Sequence, residues 1–120
     1  MAQKSGADLI REAKERITEV APSTVKEMVD GGEKVVLVDV REHNEWNLGH
    51  IPGAIHVPLG ELPAEIGKLV PKDARVVAYC ARGNRSALAA DSMQDMGYTD
   101  VRSMSDGWFG WVQAGGGLED

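Results

Sequence analysis

The sequence predicts an α/β fold in which an open parallel sheet is covered by helices on both faces. Two observations predict it. Short apolar runs alternate along the chain with segments whose apolar residues recur at helical spacing. The clearest run, residues 35–40, is apolar at nearly every position, which is typical of a strand buried on both faces of a parallel sheet. At 120 residues the chain is long enough for one domain with a single hydrophobic core.

Residues 1–21 are predicted to form a helical extension in front of the domain. Apolar residues recur there at helical spacing: Leu9, Ile10, Ala13, Ile17 and Val20. Ser5 and Asp8 have the spacing of an N-terminal capping box. We expect this helix to pack on the flank of the domain. A docking or dimer helix is the alternative, because the apolar stripe needs some partner.

The other elements follow from apolar patterns and from glycine and proline positions. The predicted strands cover residues 35–40, 55–57, 76–79 and 100–104. The predicted helices cover residues 24–29, 59–70, 87–96 and 107–113, with a short helical turn at 42–47 and a loop at 49–54. Residues 115–120 are predicted to be a flexible tail, so the domain itself spans residues 22–114.

Cys80, the single cysteine, is predicted to lie in the turn between a strand and a helix. Two arginines, a glycine and an asparagine follow it, and Ser86 is the predicted N-cap of the next helix. The backbone amides of such a turn point inward and the helix dipole adds positive charge, so the turn can hold a thiolate. A lone cysteine is more often a small buried apolar residue. This sequence context favours a nucleophile that needs no histidine partner.

Composition excludes several classes of function. The formal net charge of -6 argues against a nucleic-acid surface. A lone cysteine cannot form an intramolecular disulfide, which favours a reducing compartment. No apolar run has the length of a signal peptide or of a membrane span. We therefore expect a cytoplasmic protein without nucleic-acid or membrane partners.

Three stretches resemble the single-domain rhodaneses, a family of sulfurtransferases. Residues 80–86 resemble the family's Cys-x-x-Gly-x-Arg-Ser/Thr loop. Residues 38–42 with 49–54, and residues 107–111 near the C-terminus, match in the same order and spacing. The resemblance runs from about Pro22 to Ala114. It departs from the family pattern at Asp106-Gly107, where the family usually has two glycines.

The resemblance implies a rhodanese-like fold and sulfur transfer through a persulfide on Cys80. The donor would be a small molecule such as thiosulfate and the acceptor a thiol or cyanide, with a protein acceptor left open. No cofactor is expected. The resemblance implies these substrate-binding residues: Ala81, Arg82, Gly83, Asn84, Arg85 and Ser86, with Trp46 and Trp108 as walls of the pocket.

Single residues of the loop have distinct expected roles. Arg82 is either a solvated charge or the group that captures an anionic donor. Arg85 is expected to fold back onto loop carbonyls or onto a carboxylate such as Asp39. Gly83 is expected to supply a backbone conformation that a Cβ would oppose, and Asn84 to tolerate left-handed geometry.

Several polar residues outside the loop are expected to support it. Asp39 and Arg41 end a strand expected beside the Cys80 strand, and His50 is expected to fasten the loop at 49–53 by hydrogen bonds. A metal site is the alternative for five residues: His43, His50, His56, Glu42 and Glu45. The histidine spacings match no common zinc pattern, so we predict no metal. The two glutamates are expected to be solvated or paired with Arg41.

Two rival functions remain open on the sequence. A cysteine phosphatase or arsenate reductase also places a cysteine loop before a helix, but those families have five residues between cysteine and arginine. This chain has four between Cys80 and Arg85. A non-catalytic module that presents Cys80 to a partner in a sulfur relay is the second rival.

Overall fold

The computed structural model describes residues 3–120 and contains one five-stranded sheet. The strands are β1 (Thr18–Val20), β2 (Val36–Asp39), β3 (Ile55–His56), β4 (Arg75–Tyr79) and β5 (Asp100–Met104). Their order across the sheet is β1-β5-β4-β2-β3, and every neighbouring pair is parallel. The predicted fold class is therefore confirmed.

Within residues 3–120, six α-helices pack around the sheet. They are α1 (Gly6–Arg16), α2 (Pro22–Asp30), α3 (His43–Asn47), α4 (Leu62–Leu69), α5 (Asn84–Asp95) and α6 (Gly107–Gln113). A single 3-10 turn, Leu59–Glu61, precedes α4, so the helix predicted over residues 59–70 is divided in two. None of the helices among residues 3–120 is both long enough and apolar enough to cross a membrane.

The sheet separates two hydrophobic cores, and the side chains of β4 alternate between them. One core holds Val76, Ala78 and Cys80 with residues of α4 and α5. The other holds Val77 and Tyr79 with residues of α2 and α6. Burial on both faces explains why the central strands are continuous apolar runs in the sequence.

The segment before α2 differs from the helix predicted there. The capping box of Ser5 and Asp8 is present, but α1 ends at Arg16 and the next residues form β1, which pairs with β5. The prediction that Ile17 and Val20 continue the helical stripe is wrong. β-Branched residues favour strands, and the free edge of β5 supplies the hydrogen-bonding partners that a strand needs.

Helix α1 packs against α5 on the flank of the domain. Ala13 is fully buried there, and the Arg16 guanidinium donates hydrogen bonds of 2.9 and 2.6 Å to the Asp91 carboxylate. The Gln94 side-chain amide donates to the Arg16 carbonyl at 2.9 Å. The flank position is thus the one that the structure adopts, and it places α1 along the helix that follows Cys80.

The last residues fold back onto the domain. His50 and Glu119 exchange two backbone hydrogen bonds of 3.0 Å as an isolated antiparallel bridge. The Trp111 indole N–H donates to the Gly117 carbonyl at 2.7 Å. These contacts connect the segment predicted to be a tail to the loop that follows α3 and to α6.

Candidate active site

Cys80 follows the last residue of β4, at the carboxyl edge of the sheet where ligands of open α/β sheets gather. Its Sγ accepts hydrogen bonds from the backbone amides of Gly83, at 3.1 Å, and Ser86, at 3.4 Å. The Ser86 hydroxyl lies 3.5 Å from the same sulfur. Only 1% of the Cys80 surface is exposed. The sulfur is therefore the buried centre of a tight ring of hydrogen-bond donors.

These donors decide the ionisation of the thiol. Burial by itself would raise the pKa of Cys80, because a charged sulfur loses its hydration. The hydrogen bonds from the Ser86 hydroxyl and from the loop amides outweigh burial, and the pKa lies below the ordinary value of a cysteine. The arrangement therefore favours the thiolate form more than a free cysteine does, through hydrogen bonds that involve no histidine.

A second hydroxyl completes this arrangement. Ser103 of β5 is fully buried, and its Oγ lies 2.8 Å from the Ser86 Oγ. When Cys80 is a thiolate, Ser86 donates to the sulfur and can accept from Ser103. The sequence analysis did not identify Ser103. The available signal was the alternation along β5, which places Ser103 on the same face as the apolar Val101.

The start of α5 corrects two expectations about the loop. The helix begins at Asn84, with Gly83 as its N-cap at φ +96°, so Ser86 is not the cap and lies in the first turn. Asn84 does not take the left-handed conformation expected of it, since only Gly83 in this loop has positive φ. The expected need for glycine at position 83 is confirmed. A Cβ there would lie 3.3 Å from the Asp106 amide nitrogen.

Arg85 has a different partner from the one suggested in the sequence analysis. Its guanidinium donates two hydrogen bonds to the Glu45 carboxylate, of 2.7 and 3.0 Å, and not to Asp39. The expectation that Glu45 pairs with Arg41 is wrong for the same reason. The Arg85 hydrogen bonds lower the pKa of Glu45 to about 2. Arg85 thus fastens the cysteine loop to α3.

Asp39 and Arg41 form a buried ion pair below the site. The Arg41 guanidinium donates to the Asp39 carboxylate at 2.8 Å and to the Gly49 carbonyl at 2.7 Å. It also lies 5.0 Å from the centre of a Trp108 ring. The Trp108 amide in turn donates to the Cys80 carbonyl at 2.7 Å. A continuous set of contacts thus joins the ion pair to the backbone of the cysteine.

Trp46 stacks with two histidine rings. The ring centroids of Trp46 and His50 are 3.4 Å apart, and those of Trp46 and His56 are 4.7 Å apart. His50 Nδ1 is 3.0 Å from the Trp46 carbonyl, so this histidine is tied to α3 as well as to the loop that it begins. The stack indicates that Trp46 helps to hold α3 against the 49–53 loop. Among residues 3–120 no group of metal-ligating side chains converges.

Arg82 is the exposed arginine of the loop. Its guanidinium lies 3.7 Å above the centre of the Phe109 ring, and Nη1 lies 3.6 Å from the Asp106 carboxylate. Ala81 and Arg82 line a groove of about 370 Å³ with four residues of α6: Trp108, Phe109, Val112 and Gln113. Of the two tryptophans expected beside the cysteine, the structure places Trp108 in this groove.

A larger groove lies along α1 and does not include Cys80. It has a volume of about 470 Å³ and runs along α1, where Ala7, Ile10, Arg11, Lys14 and Glu15 line it, and it reaches the loop only at Asn84. Cys80 lines neither groove. The geometry around the sulfur, and not groove size, identifies the candidate site.

Residues 21–114 match the model of the rhodanese-like domain family. The chain belongs to this family. The matched range includes residues 80–86, which surround the sulfur, and residues 107–111, of which Trp108 donates its amide hydrogen to the Cys80 carbonyl. The predicted membership, made from the same two stretches and from residues 38–42 with 49–54, is confirmed.

Known proteins similar to this rhodanese-like domain include enzymes and other classes. A sulfurtransferase of Allochromatium vinosum is 31% identical over 99 residues, which are 82% of this chain and 92% of that protein. An HTH-type transcriptional regulator of Mycobacterium tuberculosis is 42% identical over 85 residues, which are 68% of this chain and 36% of the regulator. Four of the curated relatives are much longer proteins, of which the chain spans 58%, 36%, 24% and 24%.

A solved structure covers almost the whole rhodanese-like domain. It is a protein of Rhodopseudomonas palustris described as of unknown function and a possible tyrosine phosphatase. It superposes with a TM-score of 0.88 at 32% identity, over 99% of this chain and 97% of that chain. The family and its sulfurtransferase relatives support sulfur transfer as the general chemistry of the domain.

Proposed function

We propose that this rhodanese-like domain is a sulfurtransferase that carries sulfane sulfur as a persulfide on Cys80. The observation that carries the proposal is the ring of donors around Sγ, with amide contacts of 3.1 and 3.4 Å and the Ser86 hydroxyl at 3.5 Å. Such a ring stabilises a thiolate before reaction and a negative terminal sulfur after it. No cofactor takes part.

The reaction has two displacement steps. The Cys80 thiolate attacks the outer sulfur of a donor such as thiosulfate, a new S–S bond forms, and sulfite leaves with the electron pair of the broken S–S bond. Cyanide or a thiolate then attacks the terminal sulfur, and Cys80 leaves as a thiolate. Neither step needs a strong general acid, since each leaving group is a stable anion at neutral pH. This agrees with the hydrogen bonds of Sγ within residues 3–120, which come from backbone amides and a serine hydroxyl and from no histidine.

The other residues are assigned supporting tasks. Gly83 and Ser86 supply donors to the sulfur, and Ala81 and Arg82 face the groove through which a substrate would approach. Arg82 supplies the positive charge for an anionic donor. The Asp39–Arg41 pair, with His50, positions the backbone on which the loop rests and does not touch the substrate. Trp108 walls the groove.

The phosphatase alternative is weaker for two reasons. Arg85, which would have to contact the phosphoryl oxygens, is engaged in two hydrogen bonds with Glu45. The loop holds only four residues between Cys80 and Arg85, and two of its amides lie within 3.4 Å of the sulfur itself. A persulfide adds one atom beyond Sγ, whereas a tetrahedral phosphoryl group needs a wider ring of donors.

Two assays run side by side test the proposal. Thiocyanate production from thiosulfate and cyanide should be catalytic and should disappear in Cys80→Ser, whereas an aryl phosphate should not be hydrolysed. Cys80→Ser is a matched variant because it replaces one atom of a buried side chain. Turnover of the aryl phosphate without any thiocyanate would establish the phosphatase instead. A persulfide that forms on Cys80 but passes to no small acceptor would favour the relay module.

A further inference from the structure

Asp106 holds an unusual place beside the cysteine loop. Among residues 3–120 it is the one non-glycine residue with positive φ, at +60°. It is the N-cap of α6, and its amide lies against Gly83 at the apex of the loop. Its carboxylate is 3.6 Å from Arg82 Nη1, and 55% of its side chain is exposed. A backbone outlier next to a reactive group is a candidate for a functional constraint.

The charges at the loop make this carboxylate important. Of the three arginines of the site, Arg41 is buried with Asp39, and Arg85 is held by Glu45 through two hydrogen bonds. Arg82 is left to meet an anionic substrate, and its side chain is 61% exposed. Asp106 therefore partly neutralises the most exposed of the three arginines.

We propose that Asp106 selects the sulfur donor by its charge. The carboxylate disfavours a dianionic donor such as thiosulfate relative to a monoanionic donor that carries an apolar group. Repulsion by a fixed negative charge scales with the charge of the donor, so a dianion loses about twice as much interaction energy as a monoanion at the same position. This inference rests on the proposed function and names the class of donor.

The groove beside Arg82 offers an apolar surface for the apolar group of such a donor. Trp108, Phe109 and Val112 of α6 line its wall, and the last two are 42% and 46% exposed. An aromatic ring of a donor could cover these side chains, with its single negative charge close to Arg82. The Arg82 guanidinium already lies on the Phe109 face, so a planar apolar group would meet both a cation and an aromatic surface.

Thiosulfate and benzenethiosulfonate form a matched pair of donors for the test. Both present an outer sulfur to the Cys80 thiolate, which forms the persulfide bond, while sulfite or benzenesulfinate leaves with the electron pair of the broken bond. They differ in charge and in one aromatic ring. The quantity to measure is the ratio of kcat/KM for benzenethiosulfonate to kcat/KM for thiosulfate, at low and at high ionic strength.

Asp106→Asn is the test variant, because asparagine tolerates a left-handed backbone and removes only the charge. We expect kcat/KM for thiosulfate to rise about 3- to 10-fold at low salt, mainly through KM, and the donor ratio to fall. The gain should shrink at high salt and in the Arg82→Gln background. Asp73→Asn is the control. It changes the net charge equally, but the length of β4 separates this exposed residue from Cys80.

A binding measurement separates this inference from the proposed function. In Cys80→Ser, where no turnover occurs, Asp106→Asn should raise the calorimetric affinity for thiosulfate by a similar factor. If the unaltered protein turns over neither donor, the proposed function fails, and the affinity measurement still decides whether Asp106 repels dianions. If turnover is normal but the donor ratio and the affinity are the same in Asp106→Asn and Asp73→Asn, charge selection is overturned alone.

Discussion

Removal of the Ser86 hydroxyl should destabilise the thiolate form of Cys80 more than the loss of any other single hydrogen-bond donor around the sulfur. Its hydrogen bond is the largest favourable contribution to the lowered pKa, although the distance of 3.5 Å is long. A hydrogen bond to a charged group contributes about 1.5–3 kcal/mol, and the long contact places this one near the lower limit. Ser86→Ala should therefore raise the pKa of Cys80 and reduce the ionisation constant of the thiol about tenfold.

The same variant also has a structural cost, which must be separated from the effect on the thiolate. Ser86→Ala leaves the buried Ser103 hydroxyl without its partner at 2.8 Å, at a cost of about 1–3 kcal/mol. Ser103→Ala is the matched control, because it removes the same hydroxyl pair but leaves Ser86 free to donate to the sulfur. Both variants should show a similar decrease in the free energy of unfolding, measured by urea denaturation. Only Ser86→Ala should show a much smaller fraction of ionised Cys80 at neutral pH.

The assay is the ultraviolet absorbance of the thiolate followed against pH, with Cys80→Ser as the baseline. It needs no reagent to reach the sulfur, which matters because Cys80 is 1% exposed. The unaltered protein should titrate below the value of about 8.5 for a free cysteine. If Ser86→Ala and Ser103→Ala titrate together with the unaltered protein, the donor ring does not control the thiol.

Two further predictions concern the ion pairs that support the loop. Asp39→Ala should lower the free energy of unfolding by about 3–5 kcal/mol, because it leaves Arg41 buried without its counter-charge. If the variant instead kept full stability but lost all activity, Asp39 would have a direct role in the reaction. The pKa of Glu45 is lowered from 4.5 to about 2, so its pairing with Arg85 stabilises the fold at pH values above about 4.5, and this contribution is lost as the pH falls towards 2. Glu45→Gln should therefore lower the free energy of unfolding by about 2 kcal/mol at neutral pH, and its stability should fall less steeply between pH 5 and 2. Glu42→Gln, a control at an exposed neighbouring residue, should keep the steep fall in stability.

The sequence predicts the central sheet well because burial on both faces leaves a strong local signal. The runs that became β2 and β4 are apolar at almost every position. In contrast, β1 is a three-residue edge strand with two exposed positions. A pattern this short fits a helix as well as a strand. Its pairing with β5 is decided by a free strand edge more than 80 residues further along the chain.

The cysteine loop could be identified from local sequence, but its ion pairs could not. Arg85 had several carboxylates as candidate partners, and the choice of Glu45 depends on how α3 docks beside the start of α5. The helix start was predicted three residues too late, because serine is the stronger N-cap residue by propensity and was preferred to the glycine that caps the helix. The Gly83 amide donates to the Cys80 sulfur, which requires the chain to turn at residue 83 and makes Ser86 a donor within the first helical turn.

The most direct test of sulfur transfer through Cys80 is the mass of the intact protein after incubation with thiosulfate. The account predicts a gain of one sulfur atom on Cys80 that dithiothreitol or cyanide removes, and no gain in Cys80→Ser. Arg85→Lys, which leaves the sulfur donors in place, should still acquire the sulfur. An unchanged mass in the folded, reduced protein, under conditions where the thiolate absorbance is present, would contradict the account.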